Sequence, residues 1–108
     1  MKMQDYQTQA GKTAIYLRSD AIIYPAIGLF SEAGEIAGKI HKIMRDNNGI
    51  FLPEHLEAIA DEAGDLLWDL AALCTDIGVG LEVVAQRNLD KVNSRMARGV
   101  LGGSGDNR

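Results

Sequence analysis

Cysteine is almost missing from these 108 residues: Cys74 stands alone in an apolar run, so no internal disulfide can form. A buried, reduced thiol suits a reducing compartment, and the expected location is cytoplasmic. Proline is as scarce, at positions 25 and 53 only. Both fall where a helix would open, a place where the absent N–H costs nothing. No apolar run reaches the roughly 18 residues that a membrane span needs. The opening MKMQDYQTQAGK is polar, without the apolar core of a signal peptide. An excess of positive charge is lacking too: 15 acidic residues against 11 basic ones leave a net −4. That balance argues against a general binder of nucleic-acid polymers or anionic membranes. Period-two alternation is absent as well, which disfavours strands.

What remains is a chain of 46% hydrophobic and 24% charged residues, sized for one globular domain. A domain this small buries only about 60–70% of its unfolded surface, so oligomerisation would help it. Helical rhythm is read over about 3–18 (Met3, Tyr6, Ala10, Ala14, Leu17), 24–45, 53–77 and 81–98. DNNG at 46–49 and the pair Gly78 and Gly80 break the rhythm, and GVLGGSGDNR closes the chain. The expectation is an all-α, four-helix antiparallel bundle over 1–98 with a glycine-rich tail over 99–108.

One stretch does not read as core. In SEAGEIAGK, residues 31–39, the apolar stripe is Leu29, Ala33, Ile36 and Ile40, while Glu32, Glu35 and Lys39 fall on its flank. The pattern returns as DEAGDLLWD at 61–69, with Ile59, Ala63, Leu66 and Leu70 as stripe and Glu62, Asp65 and Asp69 on the same flank. Gly34 and Gly64 correspond, and close approach of two helix backbones would explain them. Spacing brings the halves together. From Glu35 to Arg45 is ten residues, and from Pro53 to Glu62 nine, or about 15 and 13.5 Å of helix. An antiparallel hairpin thus sets Glu32, Glu35, Glu62 and Asp65 at one level. Two like charges 4 Å apart repel by about 4 kcal/mol at an effective dielectric near 20, so such a group needs protons or a cation. An all-oxygen set without histidine or cysteine points to a hard ion, Mg²⁺ or Mn²⁺. The last helix answers with Asn88, Lys91 and Arg95 on one flank and Arg98 close by. Metal-binding and basic groups together suit a nucleoside triphosphate. Trp68 and the tail are each ambiguous. Trp68 suits core, interface or base stacking, and GSGDNR suits a disordered end or, through its glycines and Arg108, closure over phosphates.

These residues resemble the MazG-like family of all-α nucleoside triphosphate pyrophosphohydrolases, relatives of the dimeric dUTPases. Its signature is ExxE, a gap of some two dozen residues, then ExxD. Here it reads Glu32-Ala-Gly-Glu35, 26 intervening residues (36–61) and Glu62-Ala-Gly-Asp65, followed by Asn88-Leu-Asp-Lys91 and Arg95. The resemblance implies hydrolysis between the α- and β-phosphates to a nucleoside monophosphate and pyrophosphate. It also implies Mg²⁺ held by Glu32, Glu35, Glu62 and Asp65, and a dimer or dimer of dimers with sites completed by neighbouring chains. Many members carry another glutamate directly before ExxE, where this chain has Ser31. The number of metals and the carboxylate that activates water, Glu35 or Glu32, therefore stay open. Two other readings use the same residues. A helical di-iron protein needs Glu-x-x-His pairs, and neither His41 nor His55 has a glutamate three residues before it. A non-enzymatic helical dimerisation module would leave the acidic flank merely solvated.

Overall fold

The computed structural model describes residues 1–108. Four helices form, α1 (Met3–Gly11), α2 (Ile23–Asp46), α3 (Pro53–Asp76) and α4 (Leu81–Ala97), with a single 3₁₀ turn at Arg18–Asp20 and no strand. The all-α, four-helix expectation holds. Pro53 opens α3, as expected, and the His55 ring Nδ1 accepts the Leu52 N–H at 3.1 Å in the same turn. Gly78 and Gly99 end α3 and α4 at φ 76 and 70°. In each case the next N–H reaches back into the helix, Val79 to the Cys74 carbonyl and Val100 to that of Arg95. A left-handed glycine makes that closure possible.

The first helix is shorter than its rhythm implies, stopping at Gly11 instead of running to 18. Tertiary bonds win over the local pattern here. The Thr13 hydroxyl donates to the Ala10 carbonyl at 2.8 Å, and the Trp68 indole N–H donates to Thr13 Oγ1 at 2.8 Å, so the chain turns out of the helix against α3. Residues 12–22 then cross to the far end of α3. There the Asp76 carboxylate, with a side chain only 2% exposed, accepts the Tyr16 hydroxyl at 2.6 Å, Arg18 Nη1 at 3.1 Å and the Ile22 backbone N–H at 2.9 Å. Ile22 sits at φ 72°, a left-handed conformation that costs a β-branched residue about 1–3 kcal/mol. The bond to Asp76 holds it there, and α2 starts at the next residue.

The buried core lies among α1, α3 and α4: Ala10, Ala71, Cys74 and Leu81, flanked by Tyr6, Leu67, Trp68 and Leu70. Cys74 is buried as expected, and burial pushes its thiol's pKa up. Gln7 of α1 joins the other two helices. Its Oε1 accepts the Leu81 N–H at 2.8 Å, and its Nε2 donates to the Val79 carbonyl at 3.0 Å, which caps α4 from another helix. The long α2 lies along α3 and makes no comparable contact with α1 or α4. The molecule is consequently open, with a radius of gyration of 16.9 Å where a compact chain of this length has about 13 Å. Ile27, Phe30, Met44 and Leu56 stay exposed. The tail is folded back on α4: Arg95 Nη2 donates to the Asp106 carbonyl at 2.9 Å, and the Arg108 guanidinium bonds the carbonyls of Val100, Leu101 and Gly105.

Burial works to raise the Asp76 carboxyl, but its bonds from Ile22, Tyr16 and Arg18 overcome this and hold it below the ordinary carboxylate range. A carboxyl lowered by folding stabilises the native state above its unfolded pKa, about 4, and loses that contribution as pH falls through the lower folded value. Asp76→Ala should therefore cost about 2–3 kcal/mol at pH 7 in urea denaturation. The difference from wild type should shrink below pH 4; a penalty independent of pH would contradict this account.

Candidate functional site

The α2–α3 hairpin brings the acidic flanks together. Glu32, Glu62 and Asp65 each offer a carboxylate oxygen, and these oxygens lie within 4.8 Å of one another. Glu32 and Glu62 are half-buried and Asp65 is exposed. Burial foremost, then the Glu62 carboxylate beside it and the charges of Asp65, Glu62 and Asp69, push Glu32 above the usual carboxylate range. Lys39 Nζ reaches Glu62 Oε1 at 3.4 Å, so a cation already answers part of the charge. Glu35 follows Glu32 by three residues, about 60° off in rotation. It is exposed and falls outside the trio.

A cavity of about 370 Å³ adjoins the trio, with Glu32 and Asp65 at one end and Tyr24, Ile27 and Trp68 in its walls. Ser31, Gly28 and Asp69 complete the lining. Tyr24 is held by stacking on Tyr16, with ring centroids 4.6 Å apart, and the Arg18 guanidinium lies 4.7 Å from the Tyr16 centroid. Thus the Asp76 cluster that organises the chain before α2 also sets one wall of the cavity.

Asp69 is the residue that spacing alone underrated. It shares the flank of Glu62 and Asp65, yet it is buried, with 6% of its surface exposed. Burial, then the charge of Asp65, pushes its carboxyl up. Its place is made by Gly28: a Cβ there would stand 2.3 Å from Asp69 Oδ1. The close approach of α2 and α3 is thus at Gly28 and not, as expected, at Gly34 and Gly64, where an added Cβ would meet nothing within 4 Å. The latter pair turns away from the hairpin seam, a rotation that matching motifs do not reveal.

The basic residues of α4 do not line this cavity. Asn88 and Lys91 are exposed. Arg98 is exposed and donates to the Arg108 main-chain oxygen at 2.7 Å. Arg95 is buried against the tail, with its Nε unpartnered. Within one chain, then, the structure joins Glu32, Asp65 and Trp68 around one cavity, with Glu62 beside the two carboxylates, and leaves Asn88, Lys91, Arg95 and Arg98 elsewhere.

A helical hairpin that sets three clustered carboxylates beside an aromatic-walled cavity is the candidate site of this all-α protein. Residues 26–99 match the model of the MazG nucleotide pyrophosphohydrolase domain, and the chain belongs to that family. It is 43% identical over 114 aligned positions to the Gene 37 protein of Mycobacterium phage L5, with the whole of both chains covered. No solved structure matches it.

Packing at the seam is testable without activity. Gly28→Ala should cost about 1–3 kcal/mol through overlap with Asp69. In an Asp69→Ala background the same change should be neutral or gain up to about 1 kcal/mol of helix propensity. Equal costs in both backgrounds would move the contact elsewhere. Gly34→Ala and Gly64→Ala should each raise stability by about 0.5–1 kcal/mol, read as a higher urea midpoint.

Proposed function

We propose that the protein hydrolyses ribo- or deoxyribonucleoside triphosphates between the α- and β-phosphates, releasing a nucleoside monophosphate and pyrophosphate. Such an activity in the cytoplasm would control the nucleotide pool or remove unwanted nucleotides. The observation that carries this reading is the convergence of Glu32, Glu62 and Asp65 inside a MazG domain. The donor set fits Mg²⁺ or Mn²⁺: it is all carboxylate oxygen, and burial, followed by the neighbouring carboxylates, pushes the Glu32 carboxyl up. Glu32, Glu62 and Asp65 would hold the ion, with Glu35 as a further ligand. When bound, it supplies charge neutralisation for the phosphates and for the departing pyrophosphate.

The chain's own groups do the rest. Glu35, exposed beside the trio, or Glu32 orients the attacking water and takes its proton. Lys91 and Arg98 grip phosphate oxygens, joined by Arg95 once the tail that buries it is displaced; Asn88 bonds a phosphate or the sugar, and Trp68 faces the base. Since none of the α4 residues lines the cavity of its own chain, they reach the substrate from a second copy. A homodimer or tetramer is consistent with the open form and with the exposed Ile27 and Phe30. No helix is long and apolar enough to cross a membrane.

Incubation with Mg²⁺ and a panel of NTPs and dNTPs, with pyrophosphate and monophosphate quantified, tests the activity; absence of both products from every nucleotide sinks it and leaves a dimerisation module. Glu62→Ala should abolish turnover with the helical circular dichroism unchanged. Mg²⁺ or Mn²⁺ should raise the melting temperature of wild type in proportion to the logarithm of its concentration, and this rise should vanish in Glu62→Ala.

A further inference from the structure

Asp69 poses a problem that the metal trio does not solve. A buried carboxylate is normally satisfied by hydrogen bonds. Asp69 is 6% exposed and makes no hydrogen bond within the chain; Arg95 Nε is the one fully enclosed side-chain polar atom without a partner, so the Asp69 carboxylate opens onto the cavity it lines. Gly28, by lacking a side chain, leaves room for it. An ionised carboxylate only accepts hydrogen bonds, so its partner must donate.

Register identifies that partner. α2 and α3 run antiparallel, so the cavity is layered along the hairpin. Glu32 and Asp65 form one level, and Gly28 and Asp69 the next, one helical turn or about 6 Å on. Tyr24 lies a further turn along α2, with Trp68 in the facing wall. A nucleotide has the same order: phosphates, then sugar, then a flat base. With its phosphates at the carboxylate trio and its base against the aromatic walls, the sugar falls at Asp69. Asp69 also lies outside the set of oxygens that approach within 4.8 Å, and the Mn²⁺ titration below tests whether it is a metal ligand.

We propose that Asp69 reads the sugar, accepting hydrogen bonds from its secondary hydroxyls. The inference rests on the nucleotide reading above, and the experiment separates the two. Trp68 is the only tryptophan and lies in the cavity wall, so its fluorescence reports occupancy without turnover. The probes are α,β-methylene ATP and its 2′-deoxy and 2′,3′-dideoxy counterparts, titrated with Mg²⁺ into wild type, Asp69→Asn and Asp69→Ala. Wild type should bind the dideoxy compound about tenfold or more weakly than the 2′-deoxy one, the usual loss when a charged group forfeits its hydrogen bond. Asp69→Ala should collapse that ratio to about twofold or less by weakening the 2′-deoxy compound. Asp69→Asn, whose amide oxygen still accepts, should retain part of it. Calorimetric Mn²⁺ affinity without nucleotide should be unchanged in all three.

Equal binding of the three compounds by wild type overturns the sugar reading and leaves the nucleotide reading standing. An unchanged ratio in Asp69→Ala also overturns it. Loss of Mn²⁺ affinity in Asp69→Ala would make Asp69 a metal ligand instead. Failure of wild type to bind any of the three overturns the nucleotide reading itself.

Discussion

Two 24-residue helices, α2 and α3, lie side by side only where their side chains leave room. Among the glycines of the two helices, only Gly28 has the facing helix against it, at the Asp69 side chain. That contact sets the register of the hairpin. With Gly28 opposite Asp69, antiparallel running places Glu32 near Asp65 and Glu62, and sends Tyr24 toward the side of Trp68. A side chain at position 28 would displace Asp69 and disturb the level on which the carboxylates meet. The same contact therefore governs both the packing of the long hairpin and the shape of the cavity.

The electrostatics run against this packing. Glu32 and Asp69 are both shifted upward by burial and by neighbouring carboxylates, so the seam is favourable for apolar contact and unfavourable for charge. Lys39 offsets a part of that cost at Glu62. A site kept in unfavourable charge balance by well-packed surroundings is consistent with the proposed cation. Asp76 has the opposite design at the far end of α3. There a hydroxyl, a guanidinium and a backbone N–H satisfy one buried carboxylate, and the segment before α2 is secured as a result.

Much of the fold was legible along the chain because helices are local objects. Pro53, Gly78 and Gly99 marked ends that backbone chemistry alone makes probable, and the flank positions of Glu32, Glu62 and Asp65 follow from about 100° of rotation per residue. The misreadings share one cause. Tyr6, Ala10, Ala14 and Leu17 keep helical rhythm, but a hydroxyl of Thr13 and the indole of Trp68, 55 residues away in sequence, end the helix early. Gly34 and Gly64 look equivalent to a packing glycine, yet only Gly28 faces the seam.

The sequence by itself determined the helical class, the antiparallel hairpin and the level at which its acidic residues meet, since rise per residue and periodicity depend on nothing distant. It also determined the family, because the order and spacing of ExxE, ExxD and the basic helix are linear properties. Tertiary structure decided which carboxylates converge, which glycine is the close contact, and that Asp69 is buried without a partner at the edge of a cavity. Those facts depend on the rotation of two helices about their own axes, which is set by side-chain packing between segments about 40 residues apart (Gly28 and Asp69) and is invisible to any local pattern.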